Sequence, residues 1–450
     1  VSTDLRLALL LLDGSDRREW WRVGLTALGA ALATGFGTAA VAIASVRGMY
    51  HVQVGAGLLN DAGTRSGVIV ALLLLLVPVL GFLGQCARLG AVHRDRRLAG
   101  LRLAGASAAR IRRIAALEAG ISCLVGALAA TAVSMVVLLR AWQHPPALAW
   151  AGWALVLVAA PALGTLVSVT ALRHVAAAPL GRVRRVRPSR GRRPGVALLG
   201  AALLLVVAGA LLSSGRTGGF VADVTAPLIV LAAVIVVGLG AVWLTGATAR
   251  FLGARLASRT ENPATLIAAE RLRDDPWAAA RTHAAVLLVT VVGTGFLGVR
   301  QALYAALGSS GPQGRPAENM PYYTTGIGLT GAAILVALVI TLGGLAVGAA
   351  ESVATRRRGL AAQVAAGVPR PVLERALLLE TALPLAPAIA LAGVGGTVLG
   401  AGYALLVGHS VSLLPLLSVP VLVYAACLLA AATSLPLLRR SAHTAELRAT

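Results

Sequence analysis

Ten stretches of about 20 or more almost uninterrupted apolar residues run through this chain, and a water-soluble fold has no interior large enough to hide them all. Their approximate cores are residues 23–45, 67–87, 115–139, 148–172, 195–213, 224–246, 284–306, 329–350, 377–406 and 413–437. At about 1.5 Å per helical residue, stretches of this order match the roughly 30 Å of hydrocarbon in a bilayer. The runs are continuously apolar, whereas a barrel strand alternates lipid-facing and lumen-facing residues, so helices are expected. The predicted fold is an all-α polytopic membrane protein with about ten transmembrane helices. The fifth run is short, and the ninth is long enough to bend at Pro384 and Pro387.

Charge placement points the same way. Only 13% of the 450 residues are charged and the mean hydropathy is +0.83, against roughly 25% charged residues in soluble domains. A net charge of +23 would suit a nucleic-acid partner if it formed a patch on a soluble fold. Here the forty basic residues, all Arg, lie between apolar runs, so membrane lipids are the expected partner and nucleic acid is not. Basic residues accumulate in loops that remain in the cytoplasm. Placing the N-terminus inside puts thirty-four Arg on the cytoplasmic side and six outside: Arg47, Arg65, Arg140, Arg216, Arg300 and Arg315. The expected topology is multi-pass with both termini cytoplasmic, in the inner or plasma membrane of the cell.

The ends and loops complete the layout. Residues 1–22 carry both signs of charge, and Leu5 to Leu12 is too short to span, so an interfacial helix is expected there rather than a signal peptide. The longest outer loops, about Arg47 to Ser66 and Gly308 to Gly328, are too small for an independent domain. Tyr322 and Tyr323 suit an anchor at the outer interface better than a substrate contact. Cys86, Cys123 and Cys427 fall in or beside apolar runs without metal spacing and are expected to pack as small apolar residues.

An internal repeat sets the organisation. Arg94 to Glu118 aligns without gaps on Arg356 to Glu380 at an offset of 262 residues, with nine identities in twenty-five positions. They include Arg94, Arg96, Leu98, Gly105 and Glu118, paired with Arg356, Arg358, Leu360, Gly367 and Glu380. The same offset carries the first apolar run onto the seventh and the second onto the eighth. Two four-helix units are therefore expected, residues 23–172 and 284–437. Residues 173–283 join them with two further helices and a basic linker, and residues 438–450 form a cytoplasmic tail. In each repeat a basic helix leaves the membrane and the chain turns at Gly105 or Gly367, where glycine permits the turn. A second helix then re-enters with Glu118 or Glu380 about one turn inside, near its positive end. Pro369 and Pro371 suit the first turn of that helix.

At these residues the sequence resembles the FtsX-like permease domain of MacB-type ABC transporters. The likeness rests on Arg94-Asp95-Arg96-Arg97-Leu98-Ala99-Gly100-Leu101-Arg102-Leu103-Ala104-Gly105-Ala106 followed by Glu118, and on the second copy ending at Glu380. It departs from the family pattern at Arg97 and Gly359, where an acidic residue is usual, and at Gln363 and Val364, where Leu and Arg are usual. The resemblance implies a ten-helix, BceB-like permease without that group's large extracellular domain. It also implies that the two hairpins dock on a cytoplasmic ATPase, two copies per chain, which binds the ATP and Mg. The residues so implicated in coupling are Arg94, Arg96, Arg97, Leu98, Leu101, Arg102, Gly105, Ala106 and Glu118, with Arg356, Arg358, Leu360, Gly367, Val368 and Glu380. An accessory extracellular or sensor protein is a further partner this arrangement allows.

Other chemistry is limited by what the sequence lacks. A phosphate-binding P-loop needs a Lys, and the chain has none, so it is expected to carry no ATPase activity of its own. No apolar run holds an acid near its middle, which weighs against proton-coupled transport. The seven His are scattered without ligand spacing, so no metal and no catalytic residue is expected. For Glu118 and Glu380, pairing with a nearby Arg at a helix end and transmission of ATPase motion are compatible readings. The leading function is export or extraction of a lipophilic or amphipathic substrate such as an antibiotic, peptide or lipid. A non-transporting transmembrane transducer and a secondary transporter or lipid scramblase remain the rivals.

Overall fold

The computed structural model describes residues 17–46, 57–60, 62–88, 107–141, 145–176, 220–309, 320–406 and 408–437. Among these, all regular structure is helical, in twelve elements. They are α1 (Arg17–Ser45), α2 (Ala62–Leu74), α3 (Leu76–Arg88), α4 (Ala108–Ala141), α5 (Ala147–Ala176) and α6 (Phe220–Ala257). There follow α7 (Pro263–Asp274), α8 (Pro276–Ser309), α9 (Met320–Thr355), α10 (Arg357–Ala365), α11 (Arg370–Leu406) and α12 (Leu413–Ala432). Nine spans among the described residues are long and apolar enough to cross a membrane, which makes the chain a multi-pass helical membrane protein. The fifth expected run, the N-terminal interfacial segment up to residue 16 and the tail from 438 lie outside the described residues.

The second expected run is two helices, and Pro78 explains the break. A proline lacks the N–H and its ring crowds the carbonyl four residues earlier, here that of Leu74, the last residue of α2. The helices resume at Leu76, with the Leu75 and Val79 amides bonding back to Ala71 and Leu75 at 3.1 and 3.4 Å. By contrast, Pro161, Pro384, Pro387 and Pro420 lie inside continuous helices.

The chain divides into two compact units, and neither is a contiguous block: residues 1–184 join 321–355, and 185–320 join 356–450. The first unit contains α1 to α5 and α9. In it α1 packs against α4, α5 and the α2–α3 pair. Ala33, Val79, Phe82, Leu83, Cys86, Ala160 and Ile340 form a core, Ile340 coming from α9. Small residues bring the backbones close, since in lipid the packing of surfaces, not exclusion of water, holds helices together. A Cβ on Gly126 of α4 would collide with the Ala27 carbonyl of α1. A polar contact also joins the same helices, Thr38 Oγ1 donating to Ser134 Oγ at 3.1 Å. Cys86, Cys123 and Cys427 are all fully buried. Tyr322 and Tyr323 stand edge to face in the first turn of α9, with Tyr323 exposed.

In the second unit α8 and α11 run against each other, α6 flanks both, and α12 covers their other side. The α8–α11 seam is lined by glycine. A Cβ on Gly298 would stand 2.6 Å from Gly400 Cα, and one on Gly396 would stand 2.5 Å from the Val291 carbonyl oxygen. Main chain therefore lies on main chain, and Gly396 and Gly400 serve close packing. One end of this unit is clamped by Gln301 of α8. Its side-chain oxygen accepts from the Ser412 amide at 2.9 Å and its nitrogen donates to the Ser412 carbonyl at 3.4 Å. The clamp is exposed, so Gln301→Ala is expected to cost only about 1 kcal/mol. Thermal unfolding of the purified protein in detergent would measure it, and a loss several times larger would mean that Gln301 holds more than this turn.

Candidate functional site

At the opposite end of the second unit two arginines converge on one carboxylate. Glu380 lies on α11, and a single nitrogen of Arg356 donates to both of its oxygens, at 2.8 and 3.0 Å. Arg271, on α7, donates to Oε2 at 3.3 Å. The Arg271 and Glu380 side chains are 15% and 19% exposed and Arg356 is 39% exposed, so the cluster is built from two enclosed partners and one that reaches solvent. Two guanidinium groups share one carboxylate, leaving a net positive charge. Burial pulls the Arg271 guanidinium below its usual value; Glu380 opposes that shift and the like charge of Arg356 adds to it.

Each partner is positioned by local sequence. Arg356 stands just before α10, a short helix that buries Leu360 and Ala361. The helix ends in a Schellman turn: the Gly367 amide bonds to the Val364 carbonyl and the Val368 amide to that of Gln363, both at 3.0 Å. Gly367 takes φ 89°, a left-handed conformation that costs other L-residues about 1–2 kcal/mol. No neighbour would meet a Cβ there, so that cost is conformational rather than steric. Pro369 and Pro371 bracket the start of α11 at Arg370.

Arg271 is carried by α7, which starts where Asn262 Oδ1 accepts from the Ala264 amide at 3.0 Å and Pro263 fixes the first turn. Ala264, Ala268, Ala269 and Leu272 recur on one face and are buried. The helix sits so close to α6 that a Cβ on Gly253 would stand 2.9 Å from the Ala269 carbonyl oxygen. Arg271 is thus mounted on a firmly seated helix.

One expectation is corrected. Glu118 and Glu380 were placed about one turn inside their helices, where the helix dipole favours a carboxylate. Helices α4 and α11 begin at Ala108 and Arg370, because the polar turns before each apolar run are also helical. Each Glu is ten residues in, about 15 Å from the helix start and beyond the first turn where the dipole acts. At Glu380 the arginines, not the dipole, hold the charge.

Of the residues singled out in the second repeat, the structure joins Arg356 to Glu380 and buries Leu360. It places Gly367 and Val368 in the turn and Arg358 in the first turn of α10. Arg94, Arg96, Arg97, Leu98, Leu101, Arg102, Gly105 and Ala106 lie outside the described residues. Glu118 is half-buried on α4, its carbonyl accepting from Ser122 Oγ at 3.1 Å. Arg271 was not singled out by sequence reasoning: it lies 109 residues from Glu380, and only the Asn262-Pro263 helix start hinted at a seated helix there.

The two repeats also share a pattern of burial. Positions 122, 123, 126 and 127 on α4 are buried, and so are their counterparts 384, 385, 388 and 389 on α11. Positions 124 and 128 are exposed, as are 386 and 390. Among the described residues no group of His, Cys, Asp and Glu is arranged to hold a metal ion. No protein-family model matches the chain, and no curated protein matches it either.

Proposed function

We propose that this chain is the membrane-spanning permease subunit of an ABC transporter of the FtsX-like, MacB type. In this reading a separate cytoplasmic ATPase, two copies per chain, binds ATP and Mg and drives export or extraction of a lipophilic or amphipathic substrate. The chain lies in the inner or plasma membrane with both termini inside, as the thirty-four-to-six distribution of arginine supports. The observation that carries the proposal is the duplicated basic hairpin. Its second copy is a short helix closed by a glycine turn, and Arg356 ties it to Glu380 on the long helix that follows. Such an element can take a push at the membrane surface and pass it to a span. The matching burial on α4 and α11 supports treating the two copies as equivalent modules.

The test is a pull-down from native membranes followed by mass spectrometry, with a Walker-type ATPase as the expected companion. Arg96→Glu with Arg358→Glu, or Gly105→Val with Gly367→Val, are expected to uncouple that ATPase and leave the spans folded. Unchanged complex formation and unchanged activity in both double variants would remove the coupling role. A purified chain that moves substrate alone, without nucleotide, would favour a secondary transporter or scramblase. An associated ATPase without transport of labelled amphiphiles into vesicles would favour a transducer.

A further inference from the structure

Glu380 has one more cation than its charge requires, and the two cations are not alike. Arg271 is enclosed and fixed to α7, whose cap, buried face and contact on Gly253 seat it firmly. Arg356 is the more exposed partner, at the junction that leads into α10. Both donate to Oε2, so they compete for one oxygen. A second guanidinium within reach of the same carboxylate weakens the hold of the first through like-charge repulsion.

We propose that Arg271 is a positioning residue that makes the Arg356–Glu380 contact releasable. When Arg356 swings out to solvent with the α10 hairpin, Arg271 stays behind and keeps the enclosed carboxylate paired. Without it, release would strand an enclosed anion, and stranding is what makes partly buried ion pairs hard to open. The pair on its own is a fixed brace; with Arg271 it is a latch. The proposal rests on the coupling reading for the purpose of the release, but the release itself belongs to this chain.

The sign of the effect separates this role from a structural one. If Arg271 merely held the fold together, removing it would loosen the hairpin. Here its removal leaves a neutral Arg356–Glu380 pair with no competitor and no stranded charge, so the hairpin is expected to tighten. Hydrogen exchange on the full chain in detergent would read this out at the amides of Arg357–Ala365. In Arg271→Leu those amides should exchange about tenfold more slowly than in the wild type, on the scale of one charge-assisted hydrogen bond. Arg271→Lys, which keeps a cation in place, should stay near the wild type, and the interiors of α6, α8 and α11 should not change. Arg271→Gln serves as a second variant with a similar backbone fit. Equal or faster exchange at α10 in either neutral variant, or failure of both to fold, would overturn the proposal. The measurement needs no ATPase, so it can fail while the coupling reading stands, and an absent ATPase leaves its result intact.

Discussion

Glu380→Gln is expected to destabilise the second unit by about 3 kcal/mol, because it leaves the enclosed Arg271 and its neighbour Arg356 facing each other with no counter-ion. The loss should appear as a lower unfolding temperature in detergent. It should also be relieved in part by removing Arg271 as well, since that subtracts one of the two stranded cations. Arg356→Gln is expected to cost much less, about 1 kcal/mol or below, because Arg356 is already open to solvent and Arg271 still pairs with Glu380. The non-additivity is the informative quantity: groups sharing one network couple, whereas independent ones add. A Glu380→Gln protein as stable as the wild type would show that the cluster is a surface ornament, and with it would go any mechanical role for this carboxylate.

Gly298→Val should have an effect at least as large by a different route. The added atoms would meet Gly400 main chain, which cannot rotate aside as a flexible side chain can. Helices α8 and α11 would have to move apart, forfeiting contact along the seam. Overpacking of this kind costs about 1–3 kcal/mol where neighbours can adjust, and more is expected where they are backbone. Loss of monodisperse protein on size-exclusion chromatography is the expected result. Gly402→Ala, on the same helix α11 but with nothing within 4 Å of its Cβ, is the control and should behave as the wild type. Equal behaviour of the two variants would mean that the seam is looser than its geometry indicates.

The contrast between these sites explains what could be read from the chain alone. The helices were legible because each is a local property: a run of apolar residues long enough to span needs no knowledge of its neighbours. The turn at Gly367 was legible for the same reason, since a glycine followed by Pro369 is a short-range signal. The break at Leu75 was also within reach, because Pro78 weakens the hydrogen-bond ladder at a known distance. Arg271 was not, because its meaning comes from a contact 109 residues away, made by a helix whose buried face is mostly alanine. Nor does chain order reveal that α9 clusters with α1 to α5, since apolar helices in lipid sort by surface fit rather than by sequence neighbourhood. The depth of Glu380 was misjudged for a related reason. Hydropathy marks where the apolar run starts, whereas α11 starts earlier, at the turn.

Interlocked side chains hold two helices at a fixed level, because any lengthwise shift must lift each knob from its hole. At Gly298 and Gly400 those teeth are missing, and main chain meets main chain. Such a point leaves no side-chain knob to be lifted in shear, the small sliding by which packed helices accommodate larger rearrangements. The second unit therefore pairs a backbone-on-backbone joint at Gly298 and Gly400 with the charge cluster at Glu380.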